Sequence, residues 1–232
     1  MPSSSIARIA GRSWGLPRPR SYKQPLGRIM RCILFGIAEL WNCGGYRAGT
    51  HSRGAMSEFA LQAKILAALR SNAGTWRNVP ITKSTSEART MYDLLGDREH
   101  GRDFDLHTEK PLMKGSSVLS VELFHGLKPD IVVWSKRSAQ NRIVIEVKQA
   151  TKATHKEDDA SQFLRYFLHL LVTSDPRPKG KADIDRGFLV AAPTAWFESQ
   201  SLSHTWHHFV KHYGPLAETF HITLGELHAD NI

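Results

Sequence analysis

The sequence predicts an α/β domain, with a mixed sheet built on a three-stranded antiparallel meander, extended by further strands and flanked by helices. Three observations predict it. Runs dense in Val and Ile, "SVLSVELF", "DIVVWS" and "RIVIEVK", follow one another between residues 117 and 148, separated only by "HGLKP" and "KRSAQN". Helical periods lie on both sides of that block. Farther along, two more strand-like runs alternate with a helical one, which is the grammar of helices packed on a sheet.

Element by element, "MSEFALQAKILAALRSNAG" begins near Met56 with Ser57 as an N-cap. It carries Phe59, Leu61, Ile65, Leu66 and Leu69 at helical spacing and has Gly74 beyond its end. "TSEARTMYDLLG" repeats that grammar, with Gly96 as its stop. Residues 97–117 are polar and aperiodic and are expected to form a long exposed loop. After the meander, "KEDDASQFLRYFLHLLV" has acids in its first turn and Phe163, Leu164, Phe167, Leu168 and Leu171 along one face. "RGFLVAAP", "SHTWHHFVKHYGPLAE" and "FHITLGEL" then read as strand, helix and strand.

The formal charge of +9 suggests a polyanion-binding protein until the charge is located. Residues 1–55 hold eight Arg and one Lys against one acid, Glu39, and so supply +8 of it. That segment is rich in Pro, Gly and Ser and is expected to be a disordered or spurious basic extension, the folded domain being 56–232. A transit-peptide reading is opposed by Pro17, Pro19 and Pro25, which interrupt any amphipathic helix. Both cysteines, Cys32 and Cys43, lie there too, so no disulfide framework supports the domain and a reducing, cytoplasmic setting fits. The apolar stretch from Ile29 to Trp41 is broken by Arg31 and Glu39 and is too short to span a bilayer, so no membrane partner is expected.

Charge inside the strand-like runs is the strongest clue. Along a strand alternate side chains share a face, so Glu146 and Lys148 point one way and Ile143, Ile145 and Val147 the other. Asp130 is an even number of residues from Glu146, so a hairpin register pairing Asp130 with Glu146 or Lys148 puts all three on one side. Two carboxylates and an ammonium on one patch suit a site organised by Mg²⁺ or Mn²⁺, for cutting a phosphodiester. The same residues also suit a plain reading in which Pro129 starts a strand, Asp130 caps a turn, and Glu146 and Lys148 form a solvated face.

Pro129-Asp130, Glu146-Val147-Lys148 and the Gln162-x-x-x-Tyr166 of "QFLRY" together resemble the PD-(D/E)xK nuclease superfamily. The last pattern is similar to the helix motif of its RecB-type branch. The resemblance spans about residues 57–192 and implies a restriction-endonuclease-like core. It implies Asp130 and Glu146 as metal ligands, the Val147 carbonyl as a further one, Lys148 as the catalytic lysine, and Gln162 and Tyr166 beside it. An acid on the first helix often completes such a site, which implies Glu58, with Glu122 as the alternate. The expected activity is Mg²⁺-dependent hydrolysis of DNA, RNA and a homodimer not being excluded. The reading from another class is a catalytically silent nucleic-acid-binding or assembly module of the same fold.

Because the domain is nearly neutral, contacts to a nucleic-acid backbone would fall to local groups such as Lys128, Lys136, Arg137, Lys152, Lys156 and Arg165. His204, His208 and His212 have a spacing that can hold Zn²⁺, but Trp206, Phe209, Val210 and Tyr213 beside them make an ordinary packing face. The chain has no G-x-x-x-x-G-K-[ST] and no G-x-S-x-G.

Overall fold

The structure, a computed structural model, describes residues 57–71, 74–109, 127–138, 140–149, 156–173 and 186–232. The expectations for residues 1–55, for a strand at 117–124, and for Glu122 and Lys152 lie outside the described residues.

The domain is α/β. Its elements are α1 (Glu58–Arg70), a 3-10 turn (Thr75–Asn78), α2 (Met91–Leu95), β1 (Phe104–Thr108), β2 (Ile131–Ser135), β3 (Gln140–Val147) and α3 (Lys156–Val172). They continue with β4 (Arg186–Ala192), α4 (Thr194–Glu198), α5 (Gln200–Thr219), β5 (Ile222–His228) and a closing 3-10 turn (Ala229–Asn231). The five strands form one mixed sheet in the order β1-β2-β3-β4-β5. The first three are an antiparallel meander, and β3-β4 and β4-β5 pair in parallel. The parallel part explains why β4 reads as a continuous apolar run, since it is covered on both faces.

Alternation divides the core into two layers. Odd-numbered residues of β2 and β3 (Ile131, Val133, Ile143, Ile145, Val147) join Leu61, Ile65 and Leu69 of α1 and Met91, Leu94 and Leu95 of α2. Even-numbered ones (Val132, Val144) join α3 and α5 through Phe163, Tyr166, Phe167, Trp206, Phe209 and Tyr213. Within that second layer Phe163, Phe188, Trp206 and Phe209 pack ring on ring, mostly edge to face, with centroids 5.5–6.0 Å apart.

The structure departs from the sequence reading in three places. Phe59, expected on the apolar stripe of the first helix, is 77% exposed, while Gln62 takes a buried place on that face. The helix expected over 85–96 is only α2, because a capping box between Thr90 and Asp93 starts it late. The residues before it run along the sheet edge, where Thr82 bridges Glu226 of β5. Gly225 permits that approach, since a Cβ there would collide with Ile81. Finally, β1 lies inside the stretch read as a loop: Phe104 and Leu106 alternate inward and Asp105 and His107 outward, too briefly to stand out among the charges around them.

Candidate active site

The hairpin register decides the site. Ile131 pairs with Ile145, Val132 with Val144 and Val133 with Ile143, so one further step sets Asp130 opposite Glu146. A bulge produces this parity. Trp134 pairs with Asn141, leaving Arg142 as the extra residue of β3. Without that residue Asp130 would face Ile145, and the carboxylates would lie on opposite sides of the sheet. With it, Asp130, Glu146 and Lys148 share the face that α3 covers.

Lys148 is the centre of the arrangement. Its ammonium donates to Glu146 Oε1 (2.9 Å) and to Asp159 Oδ1 (2.9 Å), and reaches Gln162 Oε1 at 3.4 Å. Gln162 Nε2 in turn donates to the Tyr166 hydroxyl at 2.9 Å. Below the ammonium lies the Phe163 ring, 5.6 Å to its centroid. Apart from Glu146 of β3, α3 supplies these partners, with Asp159, Gln162 and Tyr166 recurring at helical spacing. Glu146 is buried, so the solvated-face reading of the Glu-x-Lys pair does not hold.

Asp130 sits at the mouth of β2. Its Oδ2 accepts the Val147 N–H at 2.6 Å, and its backbone carbonyl accepts from Gln62 Nε2 of α1 at 2.8 Å. Thus α1, which packs on the other face of the sheet, meets the site at the strand ends. There the charge of Glu58 is felt by Asp130. Among the described residues no three His, Cys, Asp or Glu side chains are grouped to hold a metal ion, so neither a Glu58-Asp130-Glu146 cage nor a three-histidine cage on α5 is formed.

Electrostatically the site is costly. Burial pushes Glu146 up to about 8 against the pull of Lys148, with Asp130 adding to the rise. Burial also lifts Asp130 to about 6, opposed by the Val147 N–H and reinforced by Glu58. For Lys148 burial acts downward, but Glu146 and Asp159 outweigh it and hold the ammonium above its usual range. Tyr166 is held well above the phenol range by burial and by the charge of Glu146. The Glu146 Oε2 oxygen is buried without a hydrogen-bond partner, and the Tyr166 hydroxyl lies beside Glu146 without reaching bonding geometry to it.

Two features escaped the sequence reading. Asp159 was one acid among several in a helix's first turn, and only its spacing to Gln162 and Tyr166 could have singled it out. The second is Glu226 on β5, which accepts from Trp206 Nε1 (3.2 Å), bonds His207 Nε2 (3.1 Å) and His228 Nε2 (3.3 Å), and lies 3.6 Å from Lys83 Nζ. Its Glu-x-His copies the Glu-x-Lys of β3, a signal that was there to read. Two of the expected basic contacts are elsewhere: Lys136 and Arg137 sit at the hairpin tip, the far end of β2 and β3, paired with Asp105 and Asp103. Lys128 is exposed two residues from Asp130, and Arg165 lies on α3. No helix among the described residues is long and apolar enough to cross a membrane. No protein-family model, no curated protein and no solved structure matches the chain.

Proposed function

We propose that the protein is a nuclease hydrolysing phosphodiester bonds of DNA, with Mg²⁺ or Mn²⁺ held by Asp130 and Glu146. The observation that carries the reading is the meeting of Asp130, Glu146 and Lys148 on one face, with Glu146 Oε2 buried and unpartnered. The donor set fits a hard divalent cation, which is commonly held by one or two carboxylates and completed by waters and substrate phosphate. Burial has raised both carboxylates, a condition that a bound cation relieves. Asp130 and Glu146 are the two protein carboxylates of that set. Val147 contributes its carbonyl, and its N–H keeps Asp130 turned toward β3. Glu58, in the first turn of α1, adds negative charge at the mouth without entering the set.

When bound, the cation would polarise a phosphoryl oxygen and lower the pKa of a coordinated water. Lys148 is the chain's own electrophile. Held protonated, it offers an ammonium to the charge that grows on the phosphate oxygens. Gln162 ties that ammonium to Tyr166, which limits where it can point. Lys128, exposed two residues from Asp130, is the basic group we assign to the nucleic-acid backbone.

The test is cleavage of linear and circular DNA by the full chain, with and without Mg²⁺ or Mn²⁺, beside Lys148→Ala. Expected are cation-dependent cleavage and a loss on the order of 10³-fold in the variant. Equal cleavage by the variant would sink the assignment. One observation favours a silent nucleic-acid-binding or assembly module instead: Lys148 is tied to two carboxylates, as in a structural ion-pair network. Absence of cleavage on every substrate, with nucleic-acid binding retained, would select that reading.

A further inference from the structure

Lys148 stands between two acids that belong to different elements. Glu146 comes from β3 and Asp159 from the first turn of α3, each 2.9 Å from the ammonium. Asp159 is 6% exposed, so this pair is shielded from solvent and its partners matter more than those of a surface ion pair. Asp159 makes no three-acid group with Asp130 and Glu146, so its partner in the site is the lysine.

A conflict follows for Glu146. Its Oε1 holds the lysine, and a divalent cation on the unpartnered Oε2 would draw the charge of the same carboxylate away from that ammonium. If Glu146 were the only anion beside Lys148, drawing it onto a cation would strand a buried ammonium, a costly state. Asp159 removes the conflict, because its anchor is on the helix rather than on the strand that carries the cation's ligand.

We propose that Asp159 is a positioning residue that keeps Lys148 in the site when a divalent cation takes the Glu146 carboxylate, so that lysine and cation do not compete. The inference rests on the cation reading above and deepens it. Its consequence is thermodynamic: Asp159 sets cation affinity through Lys148, and the effect depends on the lysine being present.

A double-mutant cycle on the full chain tests this by calorimetric titration with Mn²⁺ alone, over wild type, Asp159→Asn, Lys148→Met and the double variant. Lys148→Met should bind Mn²⁺ no more weakly than wild type, since in wild type Asp159 already keeps the lysine from competing. Asp159→Asn should bind about tenfold more weakly, yet change affinity by less than about twofold in the Lys148→Met background. An equal loss in both backgrounds would mean that Asp159 acts on the cation by its own charge, and would overturn the inference. Mn²⁺ binding by wild type with no change in Asp159→Asn would overturn the inference alone, whereas a wild type that binds no Mn²⁺ would overturn the cation reading and the inference together. Asp159→Ser, which leaves room for a water beside the ammonium, serves in the same cycle if the Asn variant fails to fold.

Discussion

Two buried glutamates stand level on one face of the sheet. Glu146 on β3 pairs across to Val190 on β4, and Val190 pairs to Glu226 on β5, so the two backbone positions are two strands apart, about 10 Å. Both are nearly inaccessible, at 4% and 1%, and each is followed two residues on by a nitrogen-bearing partner, Lys148 or His228. Their surroundings differ. Glu226 has a partner for each oxygen: Trp206, His207 and Lys83 gather at Oε1 and His228 at Oε2. Glu146 has one oxygen on Lys148, while the other lies beside the Tyr166 hydroxyl without a bond in full geometry. A buried carboxylate whose oxygens are all bonded locks elements together, here α5 and β5. One left half-bonded keeps coordination capacity in reserve, and that capacity is what a cation-dependent enzyme needs.

The largest expected effect breaks the comparison at Glu226. Glu226→Gln sets an amide NH₂ among groups that bond a carboxylate, and should cost about 3–5 kcal/mol in urea denaturation. Glu146→Gln, measured without divalent cations, should change stability by no more than about 1 kcal/mol, because Lys148 keeps Asp159. Equal costs at the two positions would erase the distinction between a locked and an open carboxylate.

A second effect, on the order of a few kcal/mol, sharpens the comparison by pH. Glu146 titrates at about 8 in the folded chain against an ordinary value of 4.5, and Asp130 at about 6 against 3.8. An acid raised in this way binds a proton in the folded state that the unfolded chain has already released. Its stabilising contribution is therefore complete below the unfolded value and is lost as pH rises through the folded one. Cation-free wild type should lose stability between about pH 4.5 and 8, and Glu146→Gln should flatten the part of the curve above pH 6. A curve for the variant that stays parallel to wild type would show that Glu146 does not carry the titration.

The smallest effect concerns the rim of Glu226. Lys83 is largely exposed and its ammonium is 3.6 Å from Oε1, so Lys83→Met should cost less than about 1 kcal/mol while Trp206, His207 and His228 hold the carboxylate. A cost approaching that of Glu226→Gln would move the stabilising role from the buried partners to the surface lysine.

This contrast marks where the sequence was legible. Period and capping found α1 through Ser57, whose hydroxyl accepts the Ala60 N–H, and they located α3, β4 and β5 within a residue or two. The even spacing of Asp130, Glu146 and Lys148 allows them one face, but the extra residue at Arg142 is what brings it about, since a register one residue away would separate the carboxylates. The partners of the site were less legible. Asp159 becomes special only once α3 packs over β3, and Glu226 only once parallel pairing sets β5 beside β4, both long-range events that local periodicity does not encode. The histidines mislead for a related reason. Spacing drew attention to His204, His208 and His212, whereas burial of Trp206 turns His207 toward Glu226. β1 was lost to length, its five residues alternating among charges.

Mg²⁺-dependent melting decides whether Asp130 and Glu146 hold a cation. The full chain and its Asp130→Ala, Glu146→Gln, Lys148→Ala and Glu226→Gln variants would be melted with and without Mg²⁺ at neutral pH. Mg²⁺ should raise the wild-type midpoint, the rise should vanish in the Asp130 and Glu146 variants, and Glu226→Gln should melt lower yet still respond. A wild type insensitive to Mg²⁺, with the Asp130, Glu146 and Lys148 variants all destabilised alike, would contradict it and leave these residues as a structural ion-pair network.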